Sequence, residues 1–168
     1  MPLAGRIPGM VELLLLLLLL TANGSPIIAR EILGDRLDFP LDHATMLADG
    51  HRLLGASKTY RGLVAALLST SLLATIFGLH WSVGAIIAAV AMLGDALSSF
   101  IKRRLGLPVG AMALGLDHVP ESLLPLLACK PLFDLSWIQL ALLTLAFMLL
   151  HRVLSHLLYR LGVRKRPY

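Results

Sequence analysis

The chain has 168 residues, of which 57% are hydrophobic and 15% are charged, and its mean hydropathy is +0.81. A soluble domain is closer to half apolar and a quarter charged, so this composition predicts an integral membrane protein. The length suits a single integral membrane domain over residues 1–168 and excludes a bundle with a sizeable soluble domain. The formal net charge is +5, but the basic residues flank apolar runs, which favours a role in membrane topology over nucleic-acid binding.

Five apolar segments are predicted to be membrane spans, because about 20 apolar residues cross roughly 30 Å of hydrocarbon as a helix. The fourth is short and is predicted to be broken by prolines. The predicted fold class is therefore all-α, a polytopic transmembrane bundle. The five spans cover residues 10–29, 62–79, 83–101, 119–132 and 135–158.

The first span carries two open alternatives. Its residues Asn23 to Pro26 are predicted either to break the helix near one membrane face or to form an ordinary proline kink. The leucine run at 13–20, followed by Ala22 and Gly24, is also compatible with a cleavable signal peptide.

The basic residues are distributed unevenly between the two sides that five spans would create. All except Arg6 and Lys130 lie in residues 30–61, in residues 102–118 or toward the C-terminus. Lys and Arg accumulate on the inner side of membrane proteins. We therefore expect a multi-pass protein of the cell membrane with two cytoplasmic polar loops, an outer N-terminus and a cytoplasmic C-terminus.

The first polar loop is rich in residues that handle phosphate. Glycines let backbone N–H groups approach an anion, lysine and arginine add positive charge, and hydroxyls add donors. The alternative is a turn that merely carries inner-side charges. The candidates in this loop are Asp49, Gly50, Arg52, Gly55, Ser57, Lys58, Thr59 and Arg61.

The third span contains a carboxylate that needs a partner. Asp95 at its centre would cost roughly 2.5–3.5 kcal/mol in a membrane helix, so it should be paired, hydrated or bound to a cation. Ser98 and Lys102 share its helix face, and Ser99 and Arg103 lie beside that face. A purely structural Asp–Arg pair is the alternative.

The second polar loop ends in a further carboxylate, Asp117. Asp95 and Asp117 are the two acidic residues best placed to meet on the cytoplasmic side, where their oxygens would suit Mg²⁺. An N-cap role for Asp117 is the alternative. His51 and His118 lie in the motif loops within reach of a phosphate, whereas His151 lies away from any motif.

These stretches resemble a known family. Residues 49–62 resemble the D-G-x-R-x-x-G-x-x-K-T-x-R-G stretch of archaeal CDP-archaeol synthases, and residues 94–104 with Leu116 and Asp117 resemble its second motif block. The family usually continues Leu-Asp-Gln-Leu-Asp, whereas this chain has His118 for the glutamine and Pro120 for the second aspartate, with Glu121 next. The family is distantly related to phosphatidate cytidylyltransferases.

The resemblance implies an enzyme that transfers the cytidylyl group of CTP to 2,3-di-O-geranylgeranylglyceryl phosphate, an isoprenoid glycerol ether-lipid phosphate, with Mg²⁺ as cofactor. It implies Asp95, Asp117, Lys58 and Lys102 as catalytic residues, with both aspartates as metal ligands. No nucleic-acid partner is expected, and formation of a homo-oligomer is left open. The implied substrate-binding residues are Asp49, Gly50, Arg52, Gly55, Ser57, Thr59, Arg61, Ser98, Ser99, Arg103, Arg104 and His118.

Two other function classes compete with this interpretation. A small transporter or channel subunit would use Asp95 as an ion or proton site, but the polar residues cluster at one membrane face and no internal repeat is present. A CDP-alcohol phosphotransferase would begin with D-G-x-x-A-R, but Leu53 and Leu54 follow Asp49 and Gly50 where alanine and arginine should stand.

Overall fold

The computed structural model describes residues 9–109, 111, 113, 115–160 and 162. Its regular structure over these residues is helical, apart from two isolated antiparallel bridges in the first loop. The prediction of an all-α bundle is confirmed, and each predicted span coincides with one helix to within about one turn. The five helices are α1 Met10–Leu33, α2 Tyr60–Ile76, α3 Trp81–Arg104, α4 His118–Phe133 and α5 Trp137–Arg160.

Three of the helices are long and apolar enough to cross a membrane. These are α1, α3 and α5, each with 24 residues, while α2 is apolar but has only 17 residues. Helix α4 has 16 residues, about 24 Å of helix. Full crossing by α2 and α4 therefore stays a prediction. The basic residues Arg6, Arg164, Lys165 and Arg166, used for the topology, lie outside the described residues.

Helix α1 is continuous through the predicted break. The helix runs on past Pro26 to Leu33, and Asn23 donates a hydrogen bond to the Leu19 carbonyl one turn earlier. The predicted break at Asn23–Pro26 is therefore wrong. The physical reason lies in α2, where Gly62 has no side chain and leaves room for the proline ring: a Cβ added there would lie 3.2 Å from Pro26 Cβ.

Helix α4 is likewise one helix, so the prediction that prolines break it is also wrong. Pro125 and Pro131 both lie inside it, and Pro125 is fully buried. A proline costs one backbone hydrogen bond, but packing against neighbouring helices offsets that loss.

The hydrophobic core is centred on α1, which packs against the other four helices. Its leucine run supplies Leu14, Leu15, Leu18 and Leu19, which are buried together with Phe147 of α5. This spacing of one, three and four residues places the leucines on one side of a helix. The run is thus part of the core of the bundle, which favours the span over the signal-peptide alternative.

Two glycines of α3 set how closely the neighbouring helices approach. A Cβ on Gly84 would lie 2.4 Å from the Thr70 carbonyl oxygen of α2, and one on Gly94 would lie 2.3 Å from the Pro120 carbonyl oxygen of α4. No side chain fits at either distance. The Gly94 contact matters for the site, because it packs the start of α4 directly beside Asp95.

We predict that Gly94→Ala separates α3 from α4 and destabilises the protein by roughly 1–3 kcal/mol, the cost of overpacking. The matched control is Gly24→Ala, because Gly24 is also helical but has open space around it. That control should be neutral or stabilise the helix by up to about 1 kcal/mol. Thermal unfolding in detergent measures both, and equal midpoints for the two variants would contradict the close packing.

Candidate active site

The first loop is fastened to the bundle by Arg61 in the first turn of α2. Its Nη1 donates to the carbonyl oxygens of Gly34 and Arg36 at 2.7 and 2.6 Å, and its Nη2 donates to Asp38 at 2.8 Å. The Arg61 side chain is only 4% exposed. The structure thus uses this predicted phosphate-binding guanidinium to hold the end of α1 and the start of the loop.

Asp42 organises the interior of the loop and was missed in the sequence. Its carboxylate is buried and accepts hydrogen bonds from the Arg52 side chain and from the backbone N–H groups of Ala44, Leu54 and Gly55. Burial by itself would raise the pKa of Asp42, but the Arg52 hydrogen bond and the backbone donors outweigh it and hold the pKa well below its ordinary value. Arg52 and Gly55, which were predicted to bind substrate, therefore donate hydrogen bonds to Asp42.

The end of α3 holds the far side of the same loop. Arg104 donates to Asp49 at 2.9 Å and to the Arg52 carbonyl oxygen at 2.7 Å, and its guanidinium lies 5.2 Å from the Phe100 ring centroid. Gly50, at the turn between Asp49 and His51, has φ +76°, a conformation that favours glycine. Asp49 and Arg104, two predicted substrate-binding residues, thus bind each other.

Lys58 and Asp95 form the ion pair that joins the loop to the middle of α3. The Lys58 ammonium lies 2.7 Å from Asp95 Oδ1 and 2.6 Å from Oδ2, and neither side chain is more than 28% exposed. The carboxylate that the sequence left without a partner is therefore paired with a lysine, not with an arginine. The two side chains face a small cleft, which is lined also by Pro26, Ser57 and Met92.

Lys102 and Asp117 form a second ion pair beyond the first. Asp117 Oδ2 also accepts the Ala113 N–H at 2.7 Å, and Lys102 donates to the Ala111 carbonyl oxygen at 3.2 Å. Asp117 occupies the N-cap position of α4, as the alternative proposed, but its side chain makes no capping hydrogen bond there. Each aspartate thus has its own lysine, and joint metal binding by Asp95 and Asp117 stays a prediction.

The remaining predicted donors bond within the protein or are buried. Thr59 caps α2 by accepting the Gly62 N–H at 3.2 Å, and Arg103 donates to the Pro108 carbonyl oxygen at 3.0 Å. Ser98 donates to the Gly94 carbonyl oxygen at 2.9 Å, while Ser99 is buried nearby on the same helix. These contacts give the motif hydroxyls a structural use that their spacing did not reveal.

His118 lies in a cluster that the sequence did not predict. Its Nδ1 is 2.9 Å from Glu121 Oε1, and its ring centroid is 4.8 Å from that of His151 on α5. The expectation that His151 lies away from any motif is wrong, because α5 packs against α4. The 33-residue separation of the two histidines carries no sequence signal for this contact.

We predict that Asp42→Asn destabilises the protein by roughly 1–3 kcal/mol at pH 7, since it removes an acceptor from buried donors. A depressed folded pKa contributes stability that is present above about pH 4 and is lost as the pH falls toward the folded pKa. The difference in melting temperature between the wild type and Asp42→Asn should therefore shrink below pH 4. Thermal unfolding of both proteins from pH 7 to 3 measures this difference, and the exposed Asp35→Asn variant is the control. A difference in melting temperature that stays constant over this range would contradict the assignment.

Comparisons with known proteins agree with this arrangement of helices and loops. Residues 10–168 match the family model described as CarS-like, CDP-archaeol synthase. The CDP-archaeol synthase of Sulfurisphaera tokodaii is 39% identical over 137 residues, which cover 77% of this chain and 81% of that protein. The CDP-archaeol synthase of Saccharolobus solfataricus is 31% identical over 166 residues, which cover 95% and 96% of the two chains.

A solved structure described as an intramembrane enzyme for archaeal membrane lipid biosynthesis superimposes with a TM-score of 0.72. It is 32% identical in sequence, and the match covers 85% of this chain and 91% of that one. Both the sequence and the fold are thus shared over most of the length. The chain belongs to the CDP-archaeol synthase family.

Proposed function

We propose that the protein transfers the cytidylyl group from CTP to an unsaturated archaeal ether-lipid phosphate, 2,3-di-O-geranylgeranylglyceryl phosphate. A phosphate oxygen of the lipid attacks the α-phosphorus of CTP, and the bond from that phosphorus to the β-phosphate oxygen breaks. The products are a CDP-archaeol-type lipid and pyrophosphate. Family membership supports this nucleotidyltransferase activity over the transporter and phosphotransferase alternatives.

The observation that carries the proposal is the Lys58–Asp95 pair at the cleft between α1, α2 and α3. The cleft is small and lined by residues of all three helices and the first loop, so it suits one part of CTP rather than both substrates. The cleft lies between apolar helices, so isoprenoid chains lying alongside them would bring the lipid phosphate to the same place.

The two lysines have a direct chemical use in this reaction. Transfer at phosphorus depends on positioning and charge neutralisation more than on a protein nucleophile. Phosphate oxygens would compete with Asp95 and Asp117 for the ammonium groups of Lys58 and Lys102. The lysines would then neutralise the triphosphate and the leaving pyrophosphate.

The donor set also fits Mg²⁺. This ion is usually held by one or two carboxylates together with substrate phosphates and water, not by a complete protein cage. Asp95 and Asp117, once their lysines turn to phosphate, would supply those oxygens. Bound there, Mg²⁺ would neutralise phosphate charge and orient the triphosphate.

We expect the purified protein to convert labelled CTP and the ether-lipid phosphate into CDP-lipid and pyrophosphate when Mg²⁺ is present. Thin-layer chromatography of the lipid product measures this. Failure to form CDP-lipid with any phospholipid acceptor would remove the proposed activity.

Asp95→Asn and Lys58→Gln should each lower kcat by at least about 100-fold, a loss typical of removing one preorganised charge from a site. Lys130→Gln, on the last turn of α4, is the matched control and should keep its activity. Melting temperatures separate loss of function from loss of fold. A folded Asp95→Asn variant with full activity would exclude Asp95 from the chemistry.

We also propose that the two polar loops and the C-terminus face the cytoplasm, the compartment that holds CTP. Five crossings place the N-terminus outside, and the positive-inside bias supports this orientation. A fluorescent reporter fused after Tyr168 should therefore be quenched only from the cytoplasmic side. External accessibility of that reporter would overturn the orientation.

A further inference from the structure

A histidine–carboxylate cluster of one buried and two partly buried residues lies between α4 and α5. His118 and Glu121 are three residues apart on α4 and share a face, and His151 of α5 packs against them. One ligand atom from each of the three side chains lies within 4.8 Å of the other two. Phe147 stacks on the His151 ring at 5.5 Å, which shields one side of the cluster.

The charges around this cluster favour a cation. Glu121 is only 6% exposed, and beyond His118 the charged side chains that act on it electrostatically are Asp95 and Lys58. The Lys58 ammonium is already held by both oxygens of Asp95. This leaves one buried carboxylate with imidazole as its hydrogen-bond partner, and a buried charge is costly unless it is paired or coordinates a metal.

The donor atoms indicate which cation would fit. Two imidazole nitrogens and one carboxylate oxygen suit Zn²⁺ and similar first-row ions, whereas Mg²⁺ prefers oxygen alone. Tetrahedral ligands at 2.0–2.1 Å from Zn²⁺ lie about 3.4 Å apart. The three ligand atoms now lie within 4.8 Å of one another, so small side-chain rotations would bring them to this distance. Coordination of the metal would then replace the His118–Glu121 hydrogen bond.

We propose that His118, Glu121 and His151 form a binding site for a divalent transition metal, with Zn²⁺ as the best fit and a fourth position open. The site differs in ligand chemistry from the oxygen site proposed at Asp95 and Asp117. Because its ligands come from two helices, the metal would fasten α5 to α4.

The test uses the full chain, purified in detergent without a histidine tag and freed of metal with a chelator. Titration with Zn²⁺ should show one equivalent bound and a melting temperature raised by at least about 4 °C, since a ligand that binds only the folded state stabilises it. Co²⁺ should give the visible absorption of a four-coordinate site. Millimolar Mg²⁺ should not displace either ion.

His151→Gln and Glu121→Gln should each weaken Zn²⁺ binding by at least about 10-fold. The matched control is His156→Gln, an exposed histidine on α5 outside the cluster. His118→Gln provides a further variant that removes one imidazole ligand and keeps a polar side chain. The proposal is overturned if the wild type binds no stoichiometric Zn²⁺, or if His118→Gln binds it as tightly as the wild type and the His156→Gln control do.

Discussion

A charged side chain that leaves water needs an opposite charge or several hydrogen-bond donors, and the end of this bundle that carries the first loop is built around that requirement. Asp95 is the central case, because it lies in the middle of a helix and both of its carboxylate oxygens accept hydrogen bonds from the Lys58 ammonium. That pair joins residues 37 positions apart and places the first loop over α3. The same requirement is met by Asp42 with Arg52, and by Asp117 with Lys102.

These pairs explain why many motif residues have structural partners. Arg61 and Arg104 hold the two sides of the first loop, and Thr59 caps the helix that follows it. A site assembled in this way is preorganised before substrate arrives, because its backbone is already fixed. The lysines paired with Asp95 and Asp117 differ from the arginines, since a lysine is a flexible point charge that can turn to a phosphate without opening the loop.

Close helix packing determines where the second ion pair, Lys102–Asp117, lies. Gly94 lets α4 approach α3 so closely that the backbone of Pro120 touches it, and this contact brings the start of α4 beside the Lys58–Asp95 pair. The same approach buries Glu121, and the packing of α5 on α4 then adds His151. Asp117, directly before α4, and the imidazole cluster on α4 and α5 are thus close in the chain, but their side chains offer different ligand chemistry.

The sequence by itself determined the class of protein, the five helices and the family. Hydrophobic length sets helix positions in a membrane protein, and the spacing of glycines, lysines and hydroxyls at residues 49–62 is specific enough to indicate a family. It also showed that Asp95 needs a partner, because a carboxylate among apolar residues is costly wherever the helix packs. The continuity of α1 and α4 through their prolines was not accessible, since it depends on neighbours such as Gly62.

Tertiary structure alone decided which charges meet. Asp42 has no motif around it, and its importance appears only when the loop folds its backbone donors around the carboxylate. Asp95 pairs with Lys58 rather than with an arginine, and His151 of α5 contacts His118 of α4 because the two helices pack together. Each of these contacts joins residues at least ten positions apart in the chain, where periodicity carries no information and only the packing of helices sets the distance.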